Sequence, residues 1–214
     1  MDWITLDPIE VEIDRKAVAR IVGARSGGGT PAAERIAQRI DSAIRLAGRL
    51  IAPAAIYTLT EGRCIEGPPV FEMLEEMALC VCTIGDSLEK KAEQLSAEGS
   101  LLEALVLDTA GSEAVESTAD YVNGRINEIA HREGKRTSLR ASPGYGNWDI
   151  KDQKGIFRIA PTDRIGVTLG EGIMMKPKKS ISFAVHISEN PVRLRSANDC
   201  GSCDRRDCPY RKRL

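Results

Sequence analysis

A long run of helical periodicity over residues 101–134 limits the folds open to this chain. Apolar or small side chains return every three or four residues, which is the spacing of one face of an α-helix. The small pair Gly111 and Ser112 lies within this run, and small residues permit a close approach of neighbouring backbone. The sequence therefore predicts one long helix that ends near Gly134 and packs closely against another helix at Gly111. The residues that mark its apolar face are Leu101, Leu102, Leu105, Val106, Val115, Thr118, Ala119, Val122, Ile126 and Ile129.

Four further segments have the patterns of β-strands. Residues 180–188 and residues 9–13 alternate apolar with polar or small side chains, as half-buried strands do. Residues 54–60 also favour a strand, and residues 78–84 form an apolar run short enough for a buried strand. Cys80 and Cys82 lie inside this last run, and we interpret them as small core residues.

Helix boundaries are marked by capping patterns. Thr30 followed by Pro31 is typical of an N-cap and a first helical position, and a short helix is expected over residues 15–22. Asp86 and Glu89 have the spacing of a capping box. With helices first and strands clustered later, the expected class is α+β. It comprises a helical N-terminal part, a mostly antiparallel twisted sheet, a long central helix and a cysteine-rich C-terminal tail.

Composition narrows the class of protein. The 214 residues are 42% apolar, and 30 basic against 31 acidic side chains leave a net charge of −1. This balance excludes a broadly basic nucleic-acid coat protein and a disordered acidic chain. No apolar run approaches the ~20 residues of a membrane helix, and no secretory signal is visible, so we expect a cytoplasmic protein with no membrane partner.

The charge is concentrated at one end of the sequence. Residues 193–214 hold seven basic and three acidic residues, together with three of the six cysteines. We therefore predict a body over residues 1–192 and a basic cysteine-rich tail over residues 193–214. Within the body, a helical lobe over residues 1–134 precedes a ligand-binding part over residues 135–192.

The sharpest candidate site is the segment from Arg140 to Tyr145, which reads Arg-Ala-Ser-Pro-Gly-Tyr. An arginine offers a planar fork of N–H donors for a carboxylate or phosphate. The Pro-Gly turn brings backbone polar groups close to a ligand, and a tyrosine face can hold a cation. A ligand with a carboxylate and a positive centre, such as S-adenosylmethionine, suits this loop. Other amino-acid derivatives suit it as well, and a rigid turn with a surface arginine has the same pattern.

The motif resembles that of the activation domain of cobalamin-dependent methionine synthase. A second segment over residues 172–182, which reads Gly-Ile-Met-Met-Lys-Pro-Lys-Lys-Ser-Ile-Ser, is similar to another part of that family. Residues 107–120 resemble the long helix of its free-standing members. The resemblance spans about residues 5–190, with its specific motifs over residues 107–182.

The resemblance implies a function. In this family the domain binds S-adenosylmethionine and docks over a corrinoid that has fallen to the inactive Co(II) state, which is then reduced and methylated. Arg140 would bind the ligand carboxylate, and Ser142 and Gly144 would supply backbone contacts. Tyr145 would lie near the methyl group or the corrinoid, which makes it the candidate catalytic residue. The chain would then be a methyltransferase-system component of methionine biosynthesis, active only with a partner.

The resemblance also implies the partners. No cobalamin module is recognised in the sequence, so the cobalamin or related corrinoid is expected on a separate corrinoid-binding methyltransferase protein. Reduction of the cobalt needs an electron donor of the flavodoxin or ferredoxin type. A client other than methionine synthase, such as another one-carbon methyltransferase, fits the same pattern.

The tail carries a second candidate site. Cys200, Cys203 and Cys208 have the spacing C-x2-C-x4-C, which in a cytosolic chain favours a metal over a disulfide. Three thiolates could hold an iron–sulfur cluster or zinc with a fourth ligand from elsewhere. Redox-active or exposed thiols are the other interpretation of these cysteines.

Two alternative functions stay open at this point. The first is an iron–sulfur or zinc-binding redox or assembly partner that does not bind S-adenosylmethionine. The second is a small RNA-binding module that uses the basic tail. The neutral body and the mismatch of the tail to a zinc knuckle argue against nucleic acid as a partner.

Overall fold

The structure, a computed structural model, describes residues 1–23, 30–192 and 194. Most of the chain alternates between helices and short strands, joined by several short 3₁₀ turns. The α-helices are α1 (Arg15–Ile21), α2 (Pro31–Leu50), α3 (Ser87–Ala97), α4 (Leu101–Arg132) and α5 (Gln153–Ile159). The strands are β1 (Ile4–Leu6), β2 (Ala54–Thr60), β3 (Met77–Thr83), β4 (Arg136–Thr137), β5 (Thr168–Leu169), β6 (Met175–Lys176) and β7 (Ser180–Ser188).

Five of these strands form one antiparallel sheet in the order β1-β2-β3-β7-β4. β5 and β6 form a separate two-stranded pair. The central register pairs Ile56 with Val81 and Val81 with Ser182. The sheet therefore joins strands from both halves of the chain, and the predicted α+β class with an antiparallel sheet and a long helix is confirmed.

The two faces of the sheet bury different layers. One face packs on α4, so that Phe183 and Val185 of β7 contact the apolar side of that helix. Helices α1, α2 and α3 pack on α4 away from the sheet. The opposite face is covered by irregular segments, by α5 and by Trp148. Successive side chains of β7 therefore lie in different layers, because neighbours along a strand point to opposite faces of the sheet.

Helix α4 approaches α3 closely at the predicted glycine. A Cβ atom placed on Gly111 would lie 2.5 Å from Cδ2 of Leu88, a fully buried side chain of α3. The absence of a side chain at Gly111 therefore sets how near the two helices come, as the small pair in the sequence predicted.

The predicted strand over residues 9–13 is wrong. The first strand is Ile4–Leu6, whereas Ile9 and Ile13 are buried in an extended segment that is not part of the sheet. The N–H group of Ile9 donates to the carbonyl of Pro53 at 3.0 Å. Alternating burial needs an extended backbone but not a hydrogen-bonded neighbour, so the pattern identified the buried side chains and not the pairing.

Candidate ligand-binding cleft

The chain segment that leads to Arg140 runs beside β7. The N–H group of Ser138 donates to the carbonyl of His186 at 2.9 Å, and Ala141 and Ala184 exchange two hydrogen bonds at 2.9 and 2.8 Å. Arg140 lies between these two attachments. Its backbone position is therefore fixed against the sheet edge, and its side chain turns towards the face that α4 covers.

Arg140 is almost fully buried, with 8% of its surface exposed. Two acidic side chains of α4 lie beside its guanidinium. Its Nη2 atom lies 2.8 Å from Oε2 of Glu116 and 3.0 Å from Oδ1 of Asp120. The guanidinium carbon lies 5.3 Å from the centroid of the Phe183 ring. Glu116 and Asp120 are one helical turn apart and so share one side of α4. Both ion pairs use Nη2, which leaves the N–H groups of Nη1 and Nε outside these two contacts.

The loop after Arg140 is closed by its own backbone. Gly144 has φ +89°, and its N–H group donates to the carbonyl of Trp148 at 2.8 Å. The N–H group of Tyr145 donates to the carbonyl of Ser142 at 3.2 Å. Gly144 therefore holds the turn in a conformation that other residues adopt at a cost. The Gly144 N–H group is engaged within the loop, which limits the backbone contacts that the sequence assigned to this residue.

The two aromatic residues of the loop have different roles. Trp148 is buried, its Nε1 donates to the carbonyl of Glu66 at 3.2 Å, and its ring meets Phe71 edge to face at 4.9 Å. Tyr145 is 52% exposed. Trp148 therefore anchors the loop to the core, and Tyr145 is the aromatic side chain that the loop presents.

A cleft of about 260 Å³ joins the two motif segments. Arg140, Ser142 and Tyr145 contribute to one wall, and residues 173–182 form the other. Gly144 is not among the described residues that line the cleft. The remaining lining residues are Glu116, Pro143, Ile150, Gln153, Ile173, Met174, Met175, Lys178, Ser180, Ile181 and Ser182. The structure therefore brings together three of the four ligand-binding residues predicted from the sequence.

Gln153 connects the two walls of the cleft. It is buried at the start of α5, where its Nε2 donates to the carbonyl of Ile173 at 3.0 Å. The hydroxyl of Ser182 donates to its Oε1 at 3.1 Å. Gln153 thus fixes the segment before β6 and the start of β7 relative to each other.

The cleft also opens on a backbone edge of β7. Among the described residues, no strand pairs with residues 180–183 of β7 on the side where β4 lies. In an antiparallel ladder, alternate residues direct their N–H and C=O groups to the same edge. Ser182 therefore turns its backbone groups to the edge that Ala184 shares with Ala141, and these groups face the cleft.

Two lysines before β7 form ion pairs with the helical layer. Lys179 is mostly buried, and its Nζ lies 2.8 Å from Oδ1 of Asp108 and 2.8 Å from Oγ of Ser112, both on α4. Lys178 pairs with Glu93 of α3 at 2.6 Å. These contacts attach the second motif segment to the helical layer.

A larger groove of about 540 Å³ lies between α2, α3 and α4. Its walls include Arg35, Arg39, Leu46 and Leu107, but no residue of either motif. We place the candidate site in the smaller cleft because opposite charges, an exposed aromatic ring and free backbone groups converge there, as ligand sites require.

Glu116, Asp120 and Gln153 were not predicted as site residues from the sequence. Glu116 and Asp120 have i, i+4 spacing and so lie on one side of α4, which was the sequence signal for the first two. Gln153 gave no such signal, because its importance comes from two residues 20 and 29 positions away.

The cysteines divide between the described and the undescribed parts of the chain. Cys200, Cys203 and Cys208 lie outside the described residues. Cys80 and Cys82 are fully buried in the sheet, as predicted, and burial raises the pKa of the Cys80 thiol well above its usual value. Within the described ranges, no group of three His, Cys, Asp or Glu side chains could hold a metal ion. No helix found there is long and apolar enough to cross a membrane.

The fold and the cleft define the class: an α+β domain whose antiparallel sheet is covered by one long helix and carries a charged cleft at its edge. Among solved structures, the chain is similar to the MetH reactivation domain bound to AdoHcy, with a TM-score of 0.64 and 11% sequence identity. The match covers 91% of this chain and 81% of that chain. No protein-family model and no curated protein sequence matches the chain. The fold implied by the resemblance of the motifs is therefore confirmed.

Proposed function

We propose that this protein binds S-adenosylmethionine in the cleft and supports the reductive methylation of a corrinoid held by another protein module. The observation that carries the proposal is the ion pair of Arg140 and Glu116 in the wall of a cleft built from the two motif segments, with Asp120 paired to the same guanidinium. The similarity in fold to a MetH reactivation domain bound to AdoHcy, S-adenosylhomocysteine, supports the same ligand class.

The charges of the cluster match those of the ligand. S-adenosylmethionine carries one carboxylate, one ammonium and one sulfonium, so its net charge is +1. The donors of Arg140 at Nη1 and Nε suit the carboxylate, and Glu116 with Asp120 suits the ammonium or the sulfonium. Arg140 and Lys178 are the positive residues of the lining and Glu116 is the negative one, so Glu116 is the group placed to distinguish cationic S-adenosylmethionine from the neutral by-product S-adenosylhomocysteine.

The rim of the cleft suits a flat apolar partner. Tyr145, Ile150 and Met174 are each at least 43% exposed at its mouth. A corrinoid face docked there would meet the ligand methyl group, provided that the methionyl end is held as described. The protein would act by positioning, which shortens the approach of the reacting atoms.

The corrinoid supplies the chemistry when its module is docked. The corrinoid would supply a cobalt that accepts the methyl group after reduction by an electron from a separate donor, and neutral S-adenosylhomocysteine would then leave the cleft. The residues of this chain hold the carboxylate, offset the positive centres and exclude water around the sulfonium. No proton is transferred, so no general base is needed.

Calorimetric titration with S-adenosylmethionine tests the proposal. Charge-assisted hydrogen bonds contribute about 1.5–3 kcal/mol each, so Arg140→Ala should weaken binding tenfold or more. Glu116→Gln should lower the preference for S-adenosylmethionine over S-adenosylhomocysteine. Arg125→Ala is the matched control, because Arg125 forms an exposed ion pair with Glu128 elsewhere on the surface.

Two results would contradict the proposal. One is the absence of binding by the folded wild-type protein at millimolar ligand. The other is equal affinity of wild type and Arg140→Ala, with circular dichroism confirming that the variant is folded. Binding that survives Arg140→Ala would place the ligand elsewhere.

A further inference from the structure

We propose that Gln153 is a positioning residue of the cleft, which holds Ile173 in a left-handed backbone conformation and so keeps the isoleucine side chain in the cleft wall. The identity of the ligand rests on the proposed function. The hold on Ile173 is a property of the unliganded protein, so it can be measured separately.

Ile173 has a backbone conformation that its own side chain disfavours. Its φ is +63°, and it is the one non-glycine residue of the described ranges with a positive φ. A branched Cβ crowds the backbone in this region, whereas glycine and asparagine enter it at lower cost. Such a conformation persists only where the surrounding structure holds it.

The turn between β5 and β6 explains why a left-handed residue is needed here. Leu169 pairs with Met175, and the N–H group of Gly170 donates to the carbonyl of Met174 at 2.8 Å. Residues 171–173 therefore reverse the chain, and three-residue hairpin loops commonly end on a left-handed residue, for which glycine is preferred. Isoleucine at this position makes the turn harder to form, but it supplies an apolar side chain that glycine lacks.

The apolar side chain lies where a ligand would meet it. Ile173 is half-buried and lines the cleft, and the next residue, Met174, lines it at the mouth with 62% of its surface exposed. Rotation of the peptide between these two residues would move both side chains, so the conformation of Ile173 sets the shape of this wall. A wall that is formed before the ligand arrives has less conformational freedom to lose on binding.

The side chain of Gln153 supplies the hold. Its Nε2 donates to the carbonyl of Ile173 at 3.0 Å, and its Oε1 accepts from the hydroxyl of Ser182 at 3.1 Å. Gln153 and Ser182 are 4% and 2% exposed, so water does not readily replace these bonds. Ser182 belongs to β7, and the amide therefore ties the strained turn to the main sheet. Without the amide, the carbonyl of Ile173 loses the bond that favours its present orientation.

A pair of substitutions tests this role by calorimetric titration with S-adenosylmethionine. Gln153→Ala should weaken binding about tenfold, the size expected when one strained residue is released. In the Ile173→Asn background, the same change should weaken binding about threefold or less, because asparagine adopts the left-handed conformation without help. Comparison within each background cancels any direct effect of the asparagine. Gln94→Ala is the matched control, since Gln94 is an exposed glutamine of α3 that bonds to Glu98 on the same helix, and it should leave the affinity unchanged.

Crystal structures of the unliganded variants give a second readout that needs no ligand. Residue 173 should have a negative φ in Gln153→Ala and keep a positive φ in Gln153→Ala/Ile173→Asn. If wild type binds no S-adenosylmethionine, the proposed function fails, whereas these structures still decide the role of Gln153. The inference is overturned if residue 173 keeps its positive φ in Gln153→Ala, or if this variant binds the ligand as wild type does. Equal losses of affinity in the two backgrounds would also overturn it, because Gln153 would then act by touching the ligand directly.

Discussion

Two glycines of α4 should respond differently to replacement by alanine, because only one of them lies at the close contact with α3. A Cβ atom on Gly124 would meet nothing within 4 Å, so Gly124→Ala should raise the free energy of unfolding by about 1 kcal/mol through helix propensity. Gly111→Ala has the same gain, but its methyl group would lie 2.5 Å from Leu88. Overpacking of a buried contact costs about 1–3 kcal/mol, so Gly111→Ala should be neutral or destabilising by up to about 2 kcal/mol.

Urea denaturation of both variants measures this difference, which should be about 1–3 kcal/mol. Leu88→Ala removes the side chain that opposes the new methyl group, so the double variant Gly111→Ala/Leu88→Ala should lose less stability than the sum of the single changes. The reasoning is refuted if Gly111→Ala stabilises the protein as much as Gly124→Ala does, or if the two changes at the contact are additive.

Two further predictions concern the attachments of β7. Burial lowers the pKa of His186 below its usual value, against an opposing effect of Glu76, so the folded state favours the neutral ring. The stability from this ring is therefore complete above the unfolded pKa of about 6.5 and falls as the pH drops below it. Melting curves from pH 7.5 to 5 should show this loss of stability in wild type and a smaller loss in His186→Gln. Equal losses in the two proteins would contradict the assignment to His186. Lys179→Met should lower the free energy of unfolding by about 1 kcal/mol, as measured by urea denaturation, and weaken ligand binding. The substitution removes the mostly buried ammonium that contacts Asp108 and Ser112. Unchanged stability and affinity would show that these contacts do not hold the segment.

The sequence predicted the helices and strands whose bounds depend on residues close together in the chain. β2 and β7 have the predicted bounds, and α2 begins at Pro31 because the Thr30 hydroxyl accepts from the N–H group of Ala33 at 3.3 Å. Asp86 precedes α3 as expected, but its carboxylate pairs with Lys90 instead of capping the backbone. Where a side chain had two possible partners, the sequence did not decide between them.

The candidate site was predictable only in part. The Arg140 segment was identified by its residues, yet its charge partners lie 24 and 20 positions earlier in the sequence, and only the packing of α4 on the sheet brings them together. The ion pair of Lys179 could not be predicted from local sequence, because its partner Asp108 is 71 positions away. Trp148 and Tyr145 lie in the same loop, and only the structure shows that the first is buried and the second exposed.

Among the described residues, the first part of β7 has no neighbouring strand on the β4 side, and this edge has a consequence for association between chains. An open strand edge is a template on which other extended chains can pair and aggregate. Here the exposed part is short, since Ala184 is already paired and Pro177, just before the strand, has no N–H group to donate. Ser180 and Ser182 are the two residues of β7 before Ala184 whose backbone groups face this edge, so an incoming strand would form only a short ladder there. We therefore expect the shortness of this open edge to limit pairing with other chains.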